Sequence, residues 1–119
     1  MKLLTKSIRT QLEANAAISE KAHLFPEVHI NHQPVVKIFN PAGGQTWLFT
    51  EMMPGDPDIL FGLCDLGFGS PELGTVSLRE LESIKGPLNI GLERDKYFTA
   101  SMGLNGYVSA AREAGSIQA

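Results

Sequence analysis

The chain has 119 residues, 43% of them hydrophobic and 19% charged, with one cysteine and a formal net charge of −3. That length suits one domain over residues 1–119, and the composition is that of a globular core rather than a disordered tract. A lone thiol excludes an internal disulfide and a cysteine-rich zinc site, and the acidic balance argues against a nucleic-acid-binding module.

The opening Met1-Lys2-Leu3-Leu4-Thr5-Lys6 lacks the apolar stretch of a signal peptide, and no eighteen apolar residues run together, so the expected location is the cytoplasm. Residues 4–21 then read as a helix. Thr5 suits its N-cap, and Leu4, Ile8, Leu12 and Ala16 recur on one face. Pro26, Pro34, Asn31 and three histidines make residues 22–34 an extended connection.

The period changes at Val35-Val36-Lys37-Ile38-Phe39, a β-branched and aromatic run. Asn40-Pro41-Ala42-Gly43-Gly44 turns the chain into a partner strand at Thr46–Glu51, so a hairpin with a longer loop is expected. A third strand reads over Ile59–Leu66, and a short fourth at Thr75-Val76. Ser77-Leu78-Arg79-Glu80 is a capping box, opening a helix through Leu81 and Ile84 that stops at Gly86-Pro87. A further strand is expected at Arg94–Thr99, anchored by Tyr97 and Phe98. Leu104, Tyr107, Val108 and Ala111 place a last helix over Leu104–Arg112, with Gly115 past its end. Together these predict an α+β fold: a small, mainly antiparallel sheet of four or five strands flanked by N-terminal, middle and C-terminal helices.

Candidate chemistry is sparse. His29 and His32, with His23 upstream, lie in a proline-bounded segment that gives no rigid scaffold for a metal. Cys64 sits in an apolar strand beside Asp65, whose charge would raise a thiol pKa, so a buried structural thiol is expected. Gly43-Gly44 and Gly67-Phe68-Gly69 lack the following helix and lysine of a phosphate loop, and read as turns. The remaining places where polar groups interrupt apolar strands are Thr50-Glu51, next to Trp47, and Glu93-Arg94-Asp95. In a strand, Glu93 and Asp95 share a face that Arg94 does not. Trp47, Thr50, Glu51, Glu93, Arg94 and Asp95 are therefore the candidate interaction surface, with Phe49 beside them. The sequence assigns no catalytic residue, metal or cofactor.

Several strings, in order, carry a resemblance. They are Val35–Pro41, Gln45-Thr46-Trp47-Leu48, Thr50-Glu51, Leu60–Gly67, Pro71-Glu72-Leu73-Gly74, Val76–Leu81, Gly86-Pro87-Leu88, Gly91–Asp95 and Phe98. Over nearly the whole chain this resembles a family of short, uncharacterised bacterial proteins, known as a domain of unknown function and typically carried on plasmids and mobile elements. Asn40, Phe49 and Thr75 depart from its usual residues, and the Thr-Glu and Glu-Arg-Asp motifs are intact. The resemblance implies no catalytic residue.

Three functions compete. The first is a small accessory protein of a plasmid or mobile element that binds an unidentified protein partner. The second is a metal-assisted hydrolase of nucleic acid or nucleotide, in which Glu51, Glu93 and Asp95 share a cation; this requires them within roughly 10 Å of one another, given ligand distances of about 2.0–2.6 Å. The third is an acidic mimic of nucleic acid, suggested by nine acids between Glu51 and Asp95 against only Arg79, Lys85 and Arg94. The plainer reading of those acids is a solvated face.

Overall fold

The computed structural model describes residues 2–119. Its elements run α1 (Lys6–Ala22), β1 (Val36–Phe39), β2 (Thr46–Met52), β3 (Ile59–Asp65), β4 (Glu72–Ser77), α2 (Leu78–Ser83), β5 (Glu93–Arg94) and α3 (Leu104–Ala114), with a short 3-10 turn at Pro87–Asn89. The strands form one antiparallel sheet in the order β4-β3-β2-β1-β5. This is the α+β architecture expected, with a helix near each end and one in the middle.

Side-chain alternation along the strands builds two cores. Trp47, Phe49 and Met52 of β2, Val36 and Ile38 of β1 and Leu60 of β3 face one way, where Leu3, Leu4, Leu12, Leu78 and Leu81 cover them. Leu48 and Leu63 face the other way, against Leu104, Tyr107, Val108 and Ala111 of α3. The helices α1 and α2 therefore lie on one face of the sheet and α3 on the other.

A bulge in β2 keeps this alternation in step. Phe49 pairs with Gly62 and Glu51 with Phe61, leaving Thr50 as the extra residue. The backbone of β2 presses on β3 there, and a Cβ on Gly62 would collide with the Leu48 carbonyl and the Phe49 Cα. Helix α1 is tied to the same point, because the buried Asn15 donates its amide to the Thr50 carbonyl at 2.8 Å.

The helix ends follow their caps. Thr5 Oγ1 accepts the Ile8 N–H at 3.1 Å, and Ser77 Oγ accepts the Glu80 N–H at 3.2 Å. The capping box is only half formed. Asp58, from the turn before β3, supplies the second cap by accepting the Arg79 N–H at 2.9 Å and the Ser77 hydroxyl. Helix α2 also ends sooner than expected, at Ser83, because Ile84 is already extended. Gly115 closes α3 in the left-handed conformation, as a glycine at that position should.

Two strands differ from expectation. The fourth is longer than the Thr75-Val76 pair and spans Glu72–Ser77, since its register with β3 is unbroken. The fifth is shorter and ends at Arg94. Asp95 Oδ1 accepts the Tyr97 N–H at 2.9 Å, a local Asx turn that competes with the ladder. Tyr97 is consequently exposed, whereas Phe98 turns in beside Tyr107, with ring centroids 6.3 Å apart.

Candidate functional site

The sequence-predicted surface residues divide into three places. Trp47 and Thr50 are interior, 3% and 1% exposed. Trp47 is flanked in the ladder by Ile38 and Cys64, and its Nε1 has no hydrogen-bond partner among the described residues. Phe49 is fully buried as well. None of the three presents a side chain to a partner, because β2 is the central strand with a helix on each face.

Glu93, Arg94 and Asp95 do lie together, at the β5 edge. Pairing of Phe39 with Glu93 and Ile38 with Arg94 points the two side chains of β5 to opposite faces. Arg94 reaches to the α1 side and donates to the Leu3 carbonyl. Asp95 pairs with Lys37 at 3.5 Å, and Lys37 also donates to the Ala119 carbonyl at 2.7 Å. Arg94 and Asp95 thus tie down the two ends of the chain, which leaves Glu93 as the exposed charge of the three.

Glu51 does not join them. Asp95 lies in the row of Lys37 and Leu48, and Glu51 is three residues further along β2 and two strands across. At strand spacings that is a separation of about 14 Å. The three carboxylates cannot share one ion, and among the described residues no three His, Cys, Asp or Glu side chains converge as a metal set. The hydrolase geometry expected from Glu51, Glu93 and Asp95 is therefore absent.

The other candidates serve the fold. Asn31 Oδ1 accepts the Asn105 N–H at 2.9 Å, and the His32 carbonyl accepts the Leu104 N–H at 2.8 Å, so this segment caps α3 from outside the helix. Gly103, the residue before α3, has no side chain to do so, and a Cβ there would run into the Asn31 amide. His32 Nε2 lies 2.9 Å from Ser19 Oγ. Burial pushes the Cys64 thiol up to about 11, which keeps it protonated and unreactive. Five of the acids between residues 51 and 95 also have structural partners, the first being Asp56, which accepts the Asp58 N–H. Asp58 caps α2, Asp65 accepts the Gly67 and Ile117 N–H groups, Glu82 accepts the Leu3 N–H, and Asp95 pairs with Lys37. They form no free acidic stripe.

One feature escaped the sequence reading. Between α2 and β5, Lys85 bridges to Gly91 and the Gly86 N–H bonds the Ile90 carbonyl at 2.8 Å, closing a tight hairpin. The Ile90 N–H bonds the Pro87 carbonyl at 3.2 Å, and the two residues between, Leu88 and Asn89, have φ of 59° and 62°. This is a type I′ turn. Asparagine tolerates that conformation, but leucine is strained in it by about 1–2 kcal/mol. The side chain held there is 92% exposed, with Ile84 and Ile90 each 40% exposed at its base. Beside the turn, bordered by Asn89 and Ile90 but not by Leu88, lies a cleft of about 200 Å³ that reaches Leu3, Leu81 and Glu93.

A family model described as a protein of unknown function, DUF2958, matches residues 3–118. The chain belongs to this family. The match takes in every element above and the Leu88 turn, and the family's description assigns no activity to any of them. No curated protein and no solved structure matches the chain. No helix of this DUF2958 chain, among the described residues, is long and apolar enough to cross a membrane.

Proposed function

We propose that this DUF2958 protein works by binding another protein, with the Leu88 turn as its principal contact. It acts as a single-domain, cytoplasmic accessory protein of a bacterial plasmid or mobile element, a setting that rests on the sequence resemblance. The observation that carries the binding role is a large apolar side chain held in solvent by a strained backbone. Neither half of that arrangement benefits the isolated fold. The leucine buries nothing, and the left-handed conformation disfavours it over glycine or asparagine. An apolar anchor whose backbone the turn already fixes loses little backbone entropy on binding, which is what a contact residue at the centre of an interface needs. Ile84, Ile90 and the exposed Glu93 line the cleft that Asn89 of the same turn borders, so the part of the expected Glu-Arg-Asp surface that faces solvent lies beside this turn.

Affinity capture from cells carrying the parent element, read by mass spectrometry, tests this with the wild type and Leu88→Gly as baits. Glycine keeps the turn and removes the side chain, so the variant stays folded. Loss of a specific partner from the Leu88→Gly bait supports the reading. Retention of every partner rejects the turn as the contact. Alanine at Trp47 and Arg94 would be a poor control, since both hold the fold together.

A further inference from the structure

The sheet ends in two edges of different character. On one side β5 has only two residues and is flanked by the Lys37–Asp95 pair. On the other, β4 runs six residues in unbroken register, and among the described residues no strand pairs with its outer side. The hydrogen-bond phase of that edge follows from one contact. The Leu78 N–H bonds the Asp58 carbonyl, so residues 72, 74 and 76 direct their backbone groups to β3 and residues 73 and 75 direct theirs outward. The usual protections of an open edge are missing, since β4 has no lysine, no proline and no bulge, and Glu72 is its only charge.

We propose that β4 pairs with β4 of a second copy of this chain, forming an antiparallel, two-fold dimer with Gly74 on the axis. The sequence of the edge is self-complementary in that register. Leu73 bonds with Thr75 of the other copy and Thr75 with its Leu73, which satisfies all the outward N–H and C=O groups of both residues. Gly74 then faces its counterpart as a non-hydrogen-bonded pair, where backbones approach most closely, and nothing lies within 4 Å of the space a Cβ would occupy there. Leu73, 42% exposed, gains a β-branched cross-strand neighbour in Thr75. The two Glu72 residues fall at opposite ends of the seam. Each lies towards the start of the other copy's α2, which carries the exposed Arg79 and the exposed Glu80 side by side, so the seam sets no net like charge against Glu72. An isologous contact of this kind closes at two copies.

Sedimentation equilibrium and a cysteine scan test the register. The wild type should sediment at twice its 12.9 kDa at concentrations of roughly 100 μM. Leu73→Lys adds an edge charge, and Thr75→Pro removes an outward N–H without touching the β3 ladder; both should sediment as monomers with unchanged circular dichroism. Under mild oxidation Gly74→Cys should give a disulfide-linked dimer, because paired non-hydrogen-bonded positions meet the Cα separation a disulfide needs, and Thr75→Cys should give several-fold less. A wild type that stays at 12.9 kDa overturns the proposal. So does a dimer that survives both edge variants, or equal cross-linking at positions 74 and 75. Binding of an extended peptide by a monomer would likewise show the edge to serve another partner.

Discussion

Gly62 is the residue on which the bulge of β2 depends. Because its Cβ would meet backbone rather than the end of a flexible side chain, Gly62→Ala forces two strands apart. We expect a loss of about 1–3 kcal/mol, read from the urea midpoint. Trp47 behaves differently from its sequence appearance. Its ring fills the core between β1 and β3, yet its N–H is buried without a partner. Trp47→Phe removes that donor along with some volume and should shift stability by no more than about 1 kcal/mol, whereas Trp47→Ala should cost about 3–5 kcal/mol. Tryptophan beside threonine and glutamate reads as an interface cluster in one dimension, and only the central position of β2 shows it to be core. Cys64 was legible, because an apolar strand beside a carboxylate already implies a protonated thiol. At pH 8 its alkylation should be on the order of 100-fold slower than that of a free cysteine, since a thiol titrating near 11 holds little thiolate there.

At the scale of elements, hydrophobic period and caps located both long helices and the three inner strands, because each is fixed by local signals. What the sequence left hidden came from partners distant along the chain. The α2 capping box looked complete in Ser77 and Glu80, but the structure uses Asp58. The Ser77 hydroxyl and then the Arg79 N–H hold the Asp58 carboxyl below its ordinary value. A carboxyl lowered by folding adds stability above its unfolded pKa of about 3.9 and loses it as pH falls through the folded value. Stability of the wild type should therefore fall more steeply than that of Asp58→Asn below about pH 4, as urea midpoints across that range would show. Asn31 is the corresponding case for α3. Asn31→Ala leaves the Asn105 N–H without its cap and should cost about 0.5–2 kcal/mol by the same measurement. The histidines around it lie in a proline-bounded segment that gives a metal no scaffold, and that segment spends its polar groups on α1 and α3.

For the whole molecule, the sheet order keeps apart two motifs that the sequence makes alike. Glu51 and the Glu93-Arg94-Asp95 motif are similar in chemistry, but Glu51 sits on the central strand and Asp95 lies two strands across and about 14 Å away by strand spacing. Arg94 holds the Leu3 carbonyl and Asp95 holds Lys37, which leaves Glu93 exposed near the turn that we propose as the contact. That turn was not legible, since Pro87-Leu88-Asn89 carries only half of a type I′ signature and nothing marks leucine as the residue at its apex. Its strain also makes a stability prediction. Leu88→Gly relieves about 1–2 kcal/mol and adds a similar but smaller entropy to the unfolded chain, so it should change stability by less than about 1 kcal/mol. A photo-crosslinking residue placed at position 88, with exposed Arg112 on α3 as the control position, tests the central claim most directly in cells carrying the protein. We expect a discrete protein adduct from position 88 and none from position 112. No adduct at 88, or the same adducts from both positions, would contradict a partner held by the Leu88 turn.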